Sequence, residues 1–218
     1  MSSNKLITKN NIISDKDTQG IVSLECGAKS VTFVNPKSIN IIRYKGPFNQ
    51  DLFSMPNLKS IHINNDIDCY LISSSNLEKL TIDGACDNYK LSRLHLVQCV
   101  NLKYISFRNV FEIDSVYFPE HLEILKLHGA KIRNIINKEL LSLKSLNVDR
   151  LRNFKVSTPN ITKFTSYKCQ FICHFEKLEY LVAKGNCDLI GLKNIKKVKT
   201  FDHVWNAPEN CEIVELTC

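Results

Sequence analysis

A repeat solenoid of the α/β class, built mostly from β-strands, is the fold this sequence predicts, and three observations predict it. An apolar pattern L-x-x-L-x-L, with any apolar residue allowed at each L, recurs along the chain. Its starts are mostly 17 to 21 residues apart. The composition is 44% hydrophobic and 23% charged with only 7 glycines and 6 prolines, so nothing like a flexible linker divides the chain. One continuous globular domain follows. Repetition at this period is the mark of stacked coils, in which each unit buries its apolar side against its neighbours.

The stretch LEILKLHGAKI, residues 122–132, shows what one unit asks for. Leu125 and Leu127 keep the two-residue period of a strand, while Leu122 sits three residues earlier. Neither a helix stripe nor a plain alternating strand has that spacing. It suits a chain that turns inward, makes one short strand, and bends away again.

Taken in order, the copies are IVSLEC from Ile21, INIIRY from Ile39, LKSIHI from Leu58 and LEKLTI from Leu77. LKYISF from Leu102, LEILKL from Leu122 and LKSLNV from Leu143 follow. ITKFTS from Ile161, LEYLVA from Leu178, VKTFDH from Val198 and IVELTC from Ile213 complete the series with weaker matches. Asn stands just before the first apolar position at Asn57, Asn76, Asn101 and Asn160, and Asn tolerates turn conformations. The step from Leu77 to Leu102 is long, 25 residues, and contains LSRLHL from Leu91. LSRLHL lies only 11 residues before Leu102, too few for a full coil, and reads as an extra strand or a helical turn on the outer side. A longer outer segment is expected in that repeat.

These copies resemble the leucine-rich repeat superfamily over residues 21–218. ITKFTSYKCQF follows the signature L-x-x-L-x-L-x-x-N/C-x-L with Ser166 at the third L and Cys169 and Phe171 closing it, and LEILKLHGAKI meets it with Ala130 at the Asn/Cys position. FNQDLFSMPNLKSIHI, from Phe48, looks like one FNIP-type repeat. The resemblance implies a curved right-handed coil with a concave parallel sheet. Repeats this short leave no room for a full helix on each coil, so the convex side is expected to be irregular, that is extended, turn-like or 3₁₀. Residues 1–20 are expected to form an N-terminal cap, with Leu6, Ile7, Ile12 and Ile13 as capping material, and residues 21–218 the solenoid.

Side chains between the apolar positions should face outward from the sheet. One such row starts Glu25, Arg43, His62 and ends Val182, Asp202, Thr217; the row before it includes Tyr104, Ile124, Lys163, Tyr180, Thr200 and Glu215. Arg108 and His128 follow their strands. Tyr and Arg are enriched where interfaces concentrate binding energy. Arg43, His62, Tyr104, Arg108, Ile124, Lys126, His128, Lys163 and Tyr180 are therefore the expected partner-binding residues, with Tyr104, Ile124, Lys126, Arg108 and His128 as one patch across two coils. A solvated sheet face with no partner is the plainer alternative.

The net charge of +7 favours acidic partners. Lys193, Lys196, Lys197 and Lys199 form the densest basic run and could hold the phosphates of a nucleic acid or of anionic phospholipid headgroups. No aromatic residue interleaves them, and a solvated turn between coils is the expected reading. Arg150, Arg152 and Lys155 form a second basic turn.

Nine cysteines, an odd number, without a secretory signal point to reduced thiols in a cytoplasmic compartment. Cys169, Cys173 and His174 supply at most three of the four ligands of a structural zinc site. Cys169 therefore reads as a core thiol, and no metal or cofactor is expected. His203, at a third apolar position, reads as a core histidine. No phosphate loop, H-E-x-x-H or G-x-S-x-G motif is present. The expected function is non-enzymatic binding of a protein on the concave sheet. Self-association through the C-terminal strand edge is a further expectation, because an unpaired edge is a template for another strand. No run of about 18 apolar residues suggests a transmembrane helix.

Overall fold

The computed structural model describes residues 5–8, 12–14, 23–26, 32–34, 41–44, 57–64, 75–84, 90–96, 98–110, 112–130, 132–136, 139–149, 157–167, 175, 177–184, 187–188 and 192–216. Ahead of residue 57 it gives the course and pairing of strands only. The elements are β1 (Lys5–Thr8), β2 (Ile12–Ser14), β3 (Ser23–Cys26), β4 (Thr32–Val34), β5 (Ile41–Tyr44), β6 (Ser60–Asn64) and β7 (Lys79–Asp83). There follow β8 (Lys90–His95), β9 (Tyr104–Arg108), β10 (Glu112–Tyr117), β11 (Ile124–His128), β12 (Ile132–Ile135) and β13 (Ser145–Asp149). The last are β14 (Lys163–Tyr167), β15 (Tyr180–Lys184), β16 (Cys187–Asp188), β17 (Lys197–Thr200), β18 (Val204–Trp205) and β19 (Glu212–Glu215).

A single 12-stranded sheet runs β1-β3-β5-β6-β7-β9-β11-β13-β14-β15-β17-β19, and every pair described in it is parallel. Sequence order and spatial order agree, so each coil adds one strand beside the last. The chain is a mostly-β solenoid of stacked coils.

Register follows the repeat. Leu80 pairs with Ile105, Ile105 with Leu125, and Leu125 with Leu146. A slip of one residue would turn every apolar side chain to the other face, and the core shows why the register holds. The first positions Leu58, Leu77, Leu102, Leu122, Leu143 and Ile161 are wholly buried. So are the second positions Ile61, Ile105 and Leu125 and the third positions Ile63, Ile82, Phe107, Leu127 and Val148.

A position the repeat pattern did not contain is also buried, three residues before the first. Cys99, Pro119, Leu140, Thr158 and Phe175 occupy it, and each accepts a backbone hydrogen bond from the first-position N–H, as in Leu102 N to Cys99 O at 2.9 Å. These five coils thus enter their strands through a tight turn pinned at both ends in the core. Asn101 and Asn160 sit in these turns, and neither adopts a positive φ. Their side-chain amides instead donate to the preceding coil, Asn101 to Ser75 O and Asn160 to Leu141 O, both at 2.7 Å.

The outer side is extended. Among the described residues there is no helix, and short strands pair there in parallel: β8-β10-β12 in one sheet, β2-β4 and β16-β18 in two others. All of LSRLHL but its last residue, Leu96, lies in β8, so the long repeat carries an extra outer strand. Leu94, Ile113, Val116 and Ile132 from these strands are buried in the same core cluster as the long sheet. Parallel pairing from coil to coil gives the outer backbone the hydrogen-bond partners that burial demands.

Strand exits need backbone freedom. Gly129, after β11, has φ +64°, and Asn109, at the same place after β9, has φ 52°. Gly84, after β7, serves close approach: a Cβ there would lie 2.5 Å from the Asn109 carbonyl oxygen.

The segment expected to cap the amino end contains β1, which pairs with β3 from Lys5↔Ser23 to Thr8↔Cys26 as the coils do. The last two copies are in a different register from the one read from sequence. Val198 pairs with Leu181, a second position, so that coil runs Ile195, Val198, Thr200, all buried. Ile213 likewise pairs with Val198. His203 is therefore exposed rather than in the core, and Asp202 does not join the outward row. Thr200 turns inward, where its hydroxyl bonds the backbone N–H of Asp202 at 3.1 Å. A polar third position hid this coil from an apolar search.

Candidate functional site

The open face of the long sheet carries the expected partner-binding residues. Strand alternation puts residues i and i+2 on one face, and parallel register lines equivalent residues across strands. One row therefore runs Ser60, Lys79, Tyr104, Ile124, Ser145, Lys163, Tyr180, Lys197 and Glu212. The neighbouring row runs His62, Thr81, Ser106, Lys126, Asn147, Thr165, Val182, Lys199 and Val214.

Tyr104, Ile124 and Lys126 come together, half-buried, on adjacent strands. Lys126 Nζ lies 5.3 Å from the Tyr104 ring centroid. Lys79, from the strand on the other side, lies 4.8 Å from the same centroid. An ammonium over a ring is attracted by the ring's quadrupole, worth about 0.5–1 kcal/mol at an exposed site. Lys79 was missing from the sequence-based site because the patch was drawn across two coils only; the coil before it supplies the second cation.

Arg108 and His128 do not follow their strands but end them, closing β9 and β11 as register partners, with Asp83 at the end of β7 beside Arg108. Asp83 is held by Asn109, whose Nδ2 donates to Asp83 Oδ1 at 3.0 Å. Lys163 and Tyr180 form a second cation–ring pair, 5.2 Å apart, further along the sheet. Lys184 makes a third over Phe201, at 5.0 Å. Arg43, on β5, pairs in register with His62 on β6, well away from Tyr104. The nine residues thus fall into groups along one face rather than one cluster.

Ser106 stands between Thr81 and Lys126 across the strands and between Tyr104 and Arg108 along its own. It is 1% exposed although it faces outward. Its Oγ has no hydrogen-bond partner among the described residues.

A ladder of alternating charge, not visible in the apolar repeat, runs one residue before the strands. Lys59 pairs with Glu78 at 3.2 Å, Lys103 and Lys144 flank Glu123 at 3.6 and 3.0 Å, and Glu179 pairs with Lys196 at 3.0 Å. The Lys144 hydrogen bond holds the Glu123 carboxyl below its usual range, against the opposing effect of burial. Beside the ladder lies a shallow groove of about 640 Å³ whose walls include exposed Val100 and Leu141. On the outer side, Arg133 of β12 pairs with Glu112 of β10 and lies 3.5 Å from Asp114.

The basic run of residues 193–199 is not one turn. Lys193 lies in a turn, but Lys197 and Lys199 belong to β17. Lys196 is taken by Glu179, and Lys197 by Glu212 at 2.6 Å. Arg150, Arg152 and Lys155 lie outside the described residues, as do Cys169, Cys173 and His174. Among the described residues no group of three or more His, Cys, Asp or Glu could hold a metal ion. Cys99 is buried, and burial raises the Cys211 thiol pKa, leaving it a poor nucleophile near neutrality. Among the described residues no helix is long and apolar enough to cross a membrane.

No family model, no curated protein and no solved structure matches the chain.

Proposed function

We propose that the chain is a non-enzymatic protein-interaction module of the leucine-rich repeat type, acting in the cytoplasm and holding a protein partner on the open face of its long sheet. The observation that carries this reading is the Tyr104 cluster: an aromatic ring, an apolar Ile124 and two lysines gathered half-exposed on three adjacent strands. Aromatic anchors flanked by adaptable polar groups are what interface centres use. The Cys211 thiol fits a reducing compartment.

The test is capture of a partner by the whole chain, compared with a Tyr104→Ala, Lys126→Glu double variant whose fold is checked by circular dichroism. The double variant is expected to lose at least about tenfold in affinity, the effect of roughly 1.4 kcal/mol at a binding hot spot. Undiminished capture rejects the face.

Phosphate binding through the Lys196 region is the weaker alternative, because Glu179 and Glu212 already neutralise two of its cations. Self-association through β19 is supported by its place as the last described strand of the sheet and by Ile213, 45% exposed on it. A dimer by light scattering that survives Ile213→Lys would reject it.

A further inference from the structure

We propose, resting on the interaction-module reading above, that the partner presents an acidic segment whose Asp or Glu carboxylates bind between Lys79 and Lys126 and accept a hydrogen bond from the Ser106 hydroxyl.

Three observations point there. First, the two lysines share the Tyr104 ring, at 4.8 and 5.3 Å, and neither pairs with a carboxylate among the described residues. Nearby acids are engaged elsewhere: Glu78 with Lys59, Glu123 with Lys103 and Lys144, and Asp83 with Asn109. The spot is thus a concentration of positive charge with no carboxylate paired to it among the described residues.

Second, Ser106 is a buried hydroxyl without a partner among the described residues, set beside Lys126 in register. A buried hydroxyl with its bond unmade is disfavoured, so an acceptor that reaches it is rewarded. Ser can donate to a carboxylate. Ser106 is 1% exposed, so a carboxylate reaches its hydroxyl only as the side chains over it move aside.

Third, the aromatic faces argue for a carboxylate-bearing peptide over a single-stranded nucleic acid. Bases bind such surfaces by stacking on open rings, but Tyr104 and Tyr180 both carry lysine ammonium groups. Asp83, beside Arg108, also breaks the positive row that a continuous phosphate backbone would follow. Discrete carboxylates between discrete cations fit this surface better.

The experiment is fluorescence anisotropy of the full chain with a labelled glutamate decapeptide. A glutamine decapeptide, a single-stranded oligonucleotide and vesicles containing phosphatidylserine are compared alongside. The glutamate peptide is expected to bind best, with affinity falling as salt rises. Lys79→Glu with Lys126→Glu should weaken it at least about tenfold, and Ser106→Ala also by about tenfold, as for loss of a hydrogen bond to a charged group. Ser106→Thr, which keeps the hydroxyl, should retain most of the binding. Equal binding of the glutamine peptide, tighter binding of oligonucleotide or vesicles, or indifference to the charge reversals overturns the proposal. An Ile124→Trp variant separates the two readings. If it abolishes capture of the protein partner while the glutamate peptide never binds, the face stands and only its acidic preference falls. If it leaves capture unchanged, the face itself falls.

Discussion

The coil around β11 and the last described coil, around β19, use the same design with opposite results. In the first, Leu122, Leu125 and Leu127 are wholly buried between neighbours on both sides. In the last, Cys211 is half-buried, Ile213 is 45% exposed and Glu215 takes the place of an inward apolar residue. β11 pairs with two strands and β19, among those described, with one. A coil's share of the core is therefore set by the neighbours that cover it together with its own inward residues, as expected for a one-dimensional stack. The last coil keeps the turn, with Cys211 N bonding Pro208 O at 2.9 Å, but its sequence no longer invests in the core.

The sharpest way to break this comparison is to truncate the equivalent core residue in each coil. Leu125→Ala should cost about 2–5 kcal/mol by urea unfolding, because both a wholly buried chain and its cavity are involved. Ile213→Ala should cost under about 1 kcal/mol, since nearly half of its surface is already solvated. Similar costs at the two sites would contradict the neighbour argument.

The corner after β11 sharpens the comparison next. Gly129→Val should destabilise by about 1–2 kcal/mol, the cost of a bulky residue at positive φ. Gly129→Asn should be nearly silent, because Asn109 already holds that conformation one coil earlier. The turn comes third: Asn160→Ala removes the bond to Leu141 O and should cost about 1 kcal/mol by thermal melting.

The smallest expected effect lies in the charge ladder. The folded Glu123 pKa is depressed, so its contribution is present above the ordinary carboxylate pKa and is lost as pH falls through the lower folded value. Glu123 lies on the surface, so the amount is about 0.2–1 kcal/mol. Glu123→Gln should cost that much at neutral pH and leave a flatter stability curve in the acid range, read by urea unfolding at several pH values.

How far the fold was legible follows from the same contrast. Where the three apolar positions are Leu, Ile or Phe, as in Leu122–Leu127, spacing alone gave the strand, its register and its inward face. It faltered at Val198 and Ile213, where Thr200 and Glu215 occupy third positions and an apolar search slides by three residues. The buried position ahead of the turn was missed for a similar reason: Cys99, Pro119, Leu140, Thr158 and Phe175 share no residue type, only a place in a turn. The outer strands are short and irregularly spaced, and LSRLHL alone announced one of them. On the open face, Tyr104, Ile124 and Lys126 were found because they share a coil pair. Lys79 and Ser106 belong to the same site through register with that pair, which a linear reading does not display.

The central claim is that coils stack in order, each adding one strand at about 4.8 Å. Spin labels at Ser60 and, in turn, at Lys79, Lys163 and Lys197 test it most directly by electron-electron distance measurement, since these residues share one row of the sheet. The account predicts separations that grow steadily with the number of intervening strands, to about 34 Å for Ser60 to Lys197. Distances that stay flat, or shrink between Lys163 and Lys197, would contradict it.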